Sequence, residues 1–241
     1  MEKIIKGYVL KVVPYQESNL IVTLLTKEGI DIFKARGVLK PTSKNAPSCQ
    51  LYTYGEYTLS YKQDGANKTL TSGVVLSMIP SLYTDLKVST LLGLLAEAIT
   101  KNDDFLDGYN VFEVVFNHLK EGNCNYATII AIVLKLNAME SGIPLDADSC
   151  VRCGSKKNIY TVSYDDGGLL CAKCAYDLHK LDRTVSYIQN FRYVVKANIR
   201  NINDFSLDLV VAKNLIIDLF DYLEKNAGIY FKSRQMVLQL V

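Results

Sequence analysis

The stretch Ile4-Ile5-Lys6-Gly7-Tyr8-Val9-Leu10-Lys11-Val12-Val13 is apolar and rich in β-branched residues, so it predicts the first strand of the protein. Gly7 is expected to form a bulge in this strand, and Pro14 is expected to end it. Four more strand-like runs follow, over residues 20–25, 30–35, 51–61 and 69–78. Five short strands with a long loop after the third predict a Greek-key barrel such as the OB-fold, with an SH3-like barrel as the alternative.

Beyond Pro80 the apolar residues recur at intervals of three and four, which is typical of helices. Helices are predicted over residues 86–100, 109–119, 125–141, 184–200 and 206–226. The predicted caps at their amino ends are Asn125, Thr184 and Ser206.

The predicted fold class is therefore α+β and multidomain. An OB-fold barrel covers residues 1–80. An all-α helical domain follows in two parts, residues 81–149 and 176–241, and it carries a four-cysteine finger at 150–175.

Two cysteine pairs lie between these helical parts. Cys150-Val151-Arg152-Cys153 is followed after 17 residues by Cys171-Ala172-Lys173-Cys174, which gives the pattern C-x2-C-x17-C-x2-C. Each pair can direct two thiolates at one ion, and the glycines at 154, 167 and 168 allow the tight turns that this requires. Four thiolates leave no position for water. The spacing thus predicts one structural Zn²⁺ held by Cys150, Cys153, Cys171 and Cys174.

The composition is that of an ordinary globular protein. Of the 241 residues 49% are apolar, and 27 basic side chains face 25 acidic ones. The charge is unevenly spread, since residues 1–80 carry +4, residues 81–149 carry −6 and residues 150–200 carry +5. Such asymmetry favours a polyanionic partner. Six cysteines without a signal-peptide pattern or a transmembrane run lead us to expect a cytoplasmic protein that does not bind membranes.

The loop after the third strand is the predicted contact for that polyanion. Lys34, Arg36, Lys40 and Lys44 lie within eleven residues, and no acidic residue occurs between Lys34 and Glu56. Cations on an exposed loop at the rim of a barrel commonly bind a phosphate backbone. A solvated surface loop is the alternative interpretation.

A tyrosine-rich strand follows this loop. A bulge at Gly55 would bring Tyr52, Tyr54, Tyr57 and Tyr61 nearer to one face, where they could stack on bases. Packing in the core or at the rim of the barrel is the favoured interpretation, because strands commonly use tyrosine in this way.

The sequence carries no motif of a known catalytic site. It lacks the H-x-E of zinc deaminases and the G-x-x-x-x-G-K-[ST] of P-loop ATPases. The pairs Asp103-Asp104 and Asp165-Asp166 have no evident third partner, and neighbouring side chains usually point apart. We expect a protein that is not an enzyme. A nuclease or hydrolase is one competing hypothesis, and a zinc-containing module that bridges other proteins through its barrel is another.

Several segments in order resemble the bacterial RecO recombination-mediator family of DNA repair. One departure is Gln16, where the family often has glycine. The similar segments are residues 7–11, Tyr15 to Val22, Ala35-Arg36-Gly37, Ser43-Lys44, Ser141-Gly142-Ile143-Pro144, Cys150 to Gly154, Gly167 to Cys174 and Lys232-Ser233-Arg234.

The resemblance implies an OB-fold followed by a helical domain with a zinc finger. It implies binding of single- and double-stranded DNA, annealing of complementary strands, and partnership with RecR. It also implies contact with the acidic C-terminal tail of single-stranded-DNA-binding protein (SSB), help in loading the recombinase, and a place at the nucleoid in the cytoplasm.

A candidate contact for the SSB tail lies in the basic segment. Arg192, Lys196 and Arg200 are spaced by four and share one face of the predicted helix over 184–200. A solvated face whose apolar neighbours pack in the core is the alternative. Those neighbours, which could also wall an apolar slot, are Phe191, Val194 and Val195.

Overall fold

The computed structural model describes residues 1–61, 68–101, 107–122, 124–202 and 205–241. Its contacts divide the chain into two units. The first unit consists of Met1–Asp85 and Gly108–Lys120, and the second of Leu86–Asp107 and Glu121–Val241. Residues 108–120 therefore belong to the N-terminal unit, although they are separated from the rest of it in sequence.

Five strands of the first unit form a closed barrel in the order β1-β2-β3-β5-β4. All neighbours pair antiparallel except β3 and β5, which pair parallel. This arrangement confirms the predicted five-stranded OB-type barrel. The strands are β1 (Glu2–Tyr15), β2 (Asn19–Thr26), β3 (Gly29–Ala35), β4 (Tyr54–Ser60) and β5 (Thr69–Ser77).

The barrel interior is filled by alternate side chains from its strands, as a closed sheet with one apolar face requires. Val22, Leu24, Phe33, Tyr57 and Leu59 are almost completely buried there. Alternation along each strand is thus the pattern by which the sequence specifies this core.

At Gly7, β1 passes so close to the backbone of β2 that a side chain has no room. The bulge predicted at this residue is wrong. The register of β1 with β4 is unbroken there, with Gly7 opposite Gly55. The irregularity of β1 instead lies between Val9 and Lys11, in its pairing with β2. A Cβ atom on residue 7 would lie 2.3 Å from the carbonyl oxygen of Leu25, so only glycine fits.

The first strand also runs beyond Pro14, which pairs with Leu20 and does not end the strand as predicted. The turn follows Tyr15. Gln16 begins it with a φ of +58°, a left-handed conformation that favours glycine.

Seven helices lie in the described part of the chain. None of these helices is long and apolar enough to cross a membrane. They are α1 (Leu86–Lys101), α2 (Gly108–Glu121), α3 (Tyr126–Glu140), α4 (Ala172–Asp177), α5 (Val185–Lys196), α6 (Leu209–Ala227) and α7 (Arg234–Leu240).

Helix α2 packs its apolar face on the barrel of its own unit. The ring of Tyr8 on β1 lies 5.6 Å from that of Tyr109 and 5.0 Å from those of Phe112 and Phe116, measured between centroids. Spacings of three and four residues put these rings on one side of the helix, as the sequence pattern predicts.

Helix α3 is the centre of the second unit and packs against α1, α5 and α6. It is apolar on all sides, as expected of a fully buried helix. Lys135 is buried within it, and burial lowers the pKa of this lysine. Its Nζ donates a 2.7 Å hydrogen bond to the carbonyl oxygen of Ala197, next to the end of α5.

Two of the three predicted helix caps are confirmed. The side chain of Asn125 accepts a hydrogen bond from the N–H of Thr128, and that of Thr184 accepts one from Tyr187. The cap of α6 is Asp208, not Ser206. Ser206 instead accepts a 2.6 Å hydrogen bond from the side-chain amide of Asn125.

A two-stranded hairpin, β6 (Ile159–Ser163) and β7 (Gly168–Cys171), lies between the cysteine pairs. It has no counterpart among the predicted elements, nor has α4 or α7. The signal for the hairpin is present in the sequence, because a β-branched alternating run at 159–163 is followed by Asp-Asp-Gly-Gly at 165–168.

The close approach at Gly7 generates a testable prediction. Gly7→Ala should destabilise the barrel by about 1–3 kcal/mol or more, because the added methyl group meets backbone that cannot move aside. The neighbouring Lys6→Ala, at an exposed position, should leave the barrel nearly unchanged. Hydrogen exchange of the β1 and β4 amides measures the difference, and equal protection in the two variants would contradict the steric argument.

Candidate nucleic-acid interface and metal centre

The four cysteines predicted as metal ligands converge in the structure. The Sγ atoms of Cys150, Cys153, Cys171 and Cys174 all lie within 4.8 Å of one another. The Sγ atoms of Cys153 and Cys171 are 3.7 Å apart. A tetrahedral site with metal–sulfur bonds of about 2.3 Å, the length for zinc, has sulfur–sulfur edges of about 3.8 Å. The donor set and its spacing are therefore compatible with a bound metal ion.

Glycine is required in the first of the turns that present these thiols and in the strand that leads to the second. Gly154 ends the first turn with a φ of +72°, and its N–H donates a 2.8 Å hydrogen bond to the carbonyl oxygen of Cys150. Gly168 precedes the second turn. A Cβ on Gly168 would lie 2.3 Å from the carbonyl oxygen of Asp146. The predicted role in a cysteine turn therefore fits Gly154, whereas Gly168 is needed for the packing of β7 against Asp146.

The backbone around Cys150 favours the ionised form of its thiol. Burial raises its pKa, but hydrogen bonds from the backbone N–H groups of Cys171, Cys153 and Arg152 lower it more, to about 6. Thiolates are the form in which cysteine binds metals. With four such ligands the coordination shell would be closed, so the arrangement suits a structural ion and leaves no position for a reacting water.

An open groove on the barrel contains two of the four predicted DNA-binding residues. The groove has a volume of about 780 Å³, and Lys34 and Arg36 of the prediction line it. Lys68, which the sequence pattern did not single out, lies there too. The rings of Tyr15 and Tyr61 supply its aromatic surface. Cations and aromatic rings in one groove are what single-stranded nucleic acid requires of a protein surface.

The charges in this groove are unequally available. The Nζ of Lys68 lies 2.6 Å from a carboxylate oxygen of Asp31. Lys34 and Arg36 make no ion pair with any carboxylate in the described ranges. The ammonium of Lys34 instead lies 4.2 Å from the centroid of the Tyr15 ring. Two cations of the groove are therefore free of carboxylate partners, and one of these is held over an aromatic ring.

The other two predicted DNA-binding residues, Lys40 and Lys44, lie outside this groove. Both are exposed on the loop between β3 and β4. The loop is held near its start, where Gly37 N–H donates to the side chain of Asn19 at 2.8 Å, and near its middle, where Gly73 N–H donates to that of Asn45 at 3.1 Å. Their part in DNA binding stays a prediction.

The tyrosines of β4 do not form one stacking face. The bulge predicted at Gly55 is wrong: the register does shift between Tyr54 and Gly55, but the extra residue is on β5, so the alternation along β4 is unchanged there. Tyr57 points into the core, where its hydroxyl donates a 2.7 Å hydrogen bond to the carbonyl of Ser48. Tyr54 packs against Tyr8, with 4.6 Å between ring centroids. The favoured interpretation, packing in the core or at the rim, is correct for both.

The predicted basic face of α5 does not include Arg200. The helix ends at Lys196, because Ala197 is extended, and Arg200 lies in a separate 3-10 turn, Ile199–Asn201, which Asn198 caps. Lys196 forms an ion pair with Asp148. The prediction that three cations share one helix face is therefore wrong.

The apolar neighbours on α5 are largely unavailable to a ligand. Phe191 and Val194 are buried in the core. Val195 alone lines an open pocket of about 360 Å³ beside Lys196, and two carboxylates, Asp146 and Asp148, line it as well. These carboxylates disfavour an acidic ligand in that pocket. The SSB-tail contact at this position stays a prediction.

The acidic pair at 165–166 is used for structure. Asp165 forms ion pairs with Lys180 and Lys225, and Asp166 forms one with Arg152. Its two side chains thus have separate partners, as expected of neighbours in sequence. The other pair, Asp103-Asp104, lies outside the described residues.

Known proteins resemble this chain over nearly its whole length. A family model described as "Recombination protein O N terminal" matches residues 1–79, and one described as "Recombination protein O C terminal" matches residues 88–235. "DNA repair protein RecO" of Halalkalibacterium halodurans is 26% identical over 242 residues, which cover 98% of this chain and 94% of the relative.

Two further relatives agree. The protein of the same name from Bacillus subtilis is 27% identical, with 98% of this chain and 93% of the relative covered. That from Ligilactobacillus salivarius is 28% identical, with 92% and 88% covered. With an OB-type barrel, a four-cysteine cluster and family matches to both parts of its length, the chain belongs to the RecO family of DNA repair proteins.

Proposed function

We propose that this protein is a non-catalytic mediator of DNA repair and homologous recombination that binds single-stranded DNA in the barrel groove. The observation that carries the proposal is the groove itself, where Lys34, Arg36 and Lys68 lie with Tyr15 and Tyr61. The cations would bind consecutive phosphates, and the rings would stack on bases. Such contacts read no base edge, so binding would be independent of sequence.

The finer functions rest on the family. They are binding of double-stranded DNA, annealing of complementary strands, and loading of the recombinase on SSB-coated DNA together with RecR. Each requires a protein that holds a strand without cutting it. A closed four-thiolate shell suits such a role, since it offers no activated water. A protein with this role would act at the nucleoid in the cytoplasm.

The ion that we propose for the cysteine cluster is one Zn²⁺. Four thiolates whose sulfur atoms all lie within 4.8 Å of one another, with 3.7 Å between those of Cys153 and Cys171, suit its radius and its preference for a tetrahedron. The ion would hold the short finger at 150–175, whose buried apolar cluster is small. That cluster consists of Cys150, Leu170, Cys171 and Ala175.

The alternative function is a protein-bridging module whose barrel binds another protein and not DNA. The exposed apolar side chains on the outside of the barrel, Val74 and Leu76 of β5 among them, are the observation in its favour. The two functions predict different results for DNA binding. A mediator binds a single strand with an affinity that falls with salt and depends on the cations of the groove, whereas a bridging module does not.

Removal of a single ligand tests the metal. Cys171→Ser should lower the zinc content from one per chain to well below one, and it should speed hydrogen exchange in β6 and β7 because the finger loses its cross-link. Elemental analysis after purification without chelators measures the zinc. The control is Cys124→Ser, since Cys124 lies outside the cluster. Parent protein with little zinc would contradict the assignment.

Salt dependence tests the groove. If Lys34 and Arg36 bind phosphates of single-stranded DNA, log affinity should fall against log salt with a slope of about −1.4, or about −2.8 if Lys40 and Lys44 also bind. Lys34→Ala with Arg36→Ala should reduce the slope by about 1.4. Fluorescence anisotropy with an oligonucleotide measures both quantities.

Two comparisons sharpen this test. The double variant Lys40→Ala with Lys44→Ala measures the contribution of the loop to the salt slope separately from that of the groove. Lys3→Ala with Lys6→Ala removes two cations that already pair with Glu28 and Glu56, so the slope should stay the same. Parent protein that fails to bind DNA at low salt would overturn the proposed function and leave the bridging module.

A further inference from the structure

We propose that the four-cysteine finger carries a second contact for single-stranded DNA, on the surface formed by Lys156, Lys157, Lys173 and Tyr176, which we term the finger face. This inference rests on the proposed function, because it names a further site for the same ligand. It differs from the barrel groove in its residues and in the unit to which they belong.

The fold of the finger brings these residues together from two segments. The carbonyl oxygen of Asn158 accepts a 2.9 Å hydrogen bond from the N–H of Ala172, so Lys157 and Lys173 lie on either side of one backbone contact. Lys173 and Tyr176 are three residues apart on α4 and therefore lie on the same side of the helix.

The first of these segments is fixed locally. The hydroxyl of Ser155 accepts a 3.2 Å hydrogen bond from the N–H of Lys157 and donates one of 3.2 Å to the carbonyl oxygen of the same residue. Lys156 lies between these two residues. Its position, like that of Lys157, is thus set by the turn that follows the first cysteine pair.

The three lysines are available to an anion. All are exposed, and none forms an ion pair with a carboxylate in the described parts of the chain. Two neighbouring acids of the finger are already neutralised. Hydrogen bonds and charges from Lys180 and Lys225 hold the pKa of Asp165 at about 2, and Arg152 pairs with Asp166 at 2.7 Å. Two further acids lie near the finger face: Asp177 is exposed next to Tyr176 on α4, and Asp148 interacts electrostatically with Lys156 but already pairs with Lys196. Three lysines against these two acids, one of them paired, leave the surface positive.

Tyr176 adds the feature that distinguishes a nucleic acid from other polyanions. Its side chain is 81% exposed, beside the lysines and at the surface of a short helix. Nucleotide bases stack on a protruding aromatic ring of this kind, and they do so independently of sequence. An acidic peptide with an aromatic end would instead need a recess for its own ring. Cations beside a free ring thus favour a single strand.

The finger face should therefore contribute to both affinity and salt dependence. The triple variant Lys156→Ala, Lys157→Ala, Lys173→Ala should reduce the salt slope for single-stranded DNA by about 2. Tyr176→Ala should weaken binding by about fivefold or more, whereas Tyr176→Phe, which keeps the ring, should bind like the parent. All variants are made in the full-length protein, and each must retain the zinc content of the parent.

Cross-linking locates the contact directly. A single strand that carries 5-iodouracil should, on irradiation, form an adduct with the peptide that contains Tyr176, and the triple variant should lose this adduct. A triple variant with the parent's slope, or adducts confined to the barrel, would overturn the inference. Loss of binding to an acidic SSB-tail peptide, with DNA binding unchanged, would also overturn it and assign the face to a protein partner.

The groove variants separate this result from the proposed function. If Lys34→Ala with Arg36→Ala weakens DNA binding and the finger variants do not, the proposed function stands and the finger face is wrong. If the parent binds no DNA, the proposed function itself fails. If both sets of variants weaken binding additively, two independent contacts are present.

Discussion

The candidate interface depends on the parallel pairing that closes the barrel, where Lys34 of β3 lies beside Thr69 of β5. A 2.9 Å hydrogen bond joins the N–H of Lys34 to the carbonyl oxygen of Lys68. This pairing removes the free edges that β3 and β5 would otherwise expose. It also brings together cations that are 34 residues apart in sequence, and the groove exists because of it.

The fold was predictable to the extent that its elements follow local patterns. The five strands begin and end close to their predicted positions, because the alternation of apolar residues reports directly on which side chains face the barrel core. Helix caps at Asn125 and Thr184 were predictable for the same reason, since their hydrogen bonds lie within three residues. The end of α5 at Lys196 could not be predicted in this way. No glycine or proline marks it, and the carbonyl oxygen of Ala197 beyond it accepts a hydrogen bond from Lys135 of α3, 62 residues away in sequence.

The two candidate sites also differ in how far they could be predicted from the sequence. The four cysteines could be identified from spacing alone, because a metal site imposes its own geometry on the chain. The groove could be identified only in part. Lys34 and Arg36 belong to a visible basic cluster, whereas Lys68 and Tyr15 join them through the closure of the barrel, which a single sequence does not reveal. Lys34 also donates a hydrogen bond to the side chain of Gln16, and this contact is likewise not revealed by a single sequence.

The position of Lys34 over the Tyr15 ring has a consequence for what the groove can recognise. The ring already has a cation on its face, so a base that stacks there must displace the ammonium. A ligand that offers only a ring would separate that ammonium from the ring and supply no anion to it, and a ligand that offers only a phosphate would leave the ring exposed. A nucleotide chain supplies both groups at once, and binding then becomes an exchange of partners in which neither group of the protein is left unsatisfied.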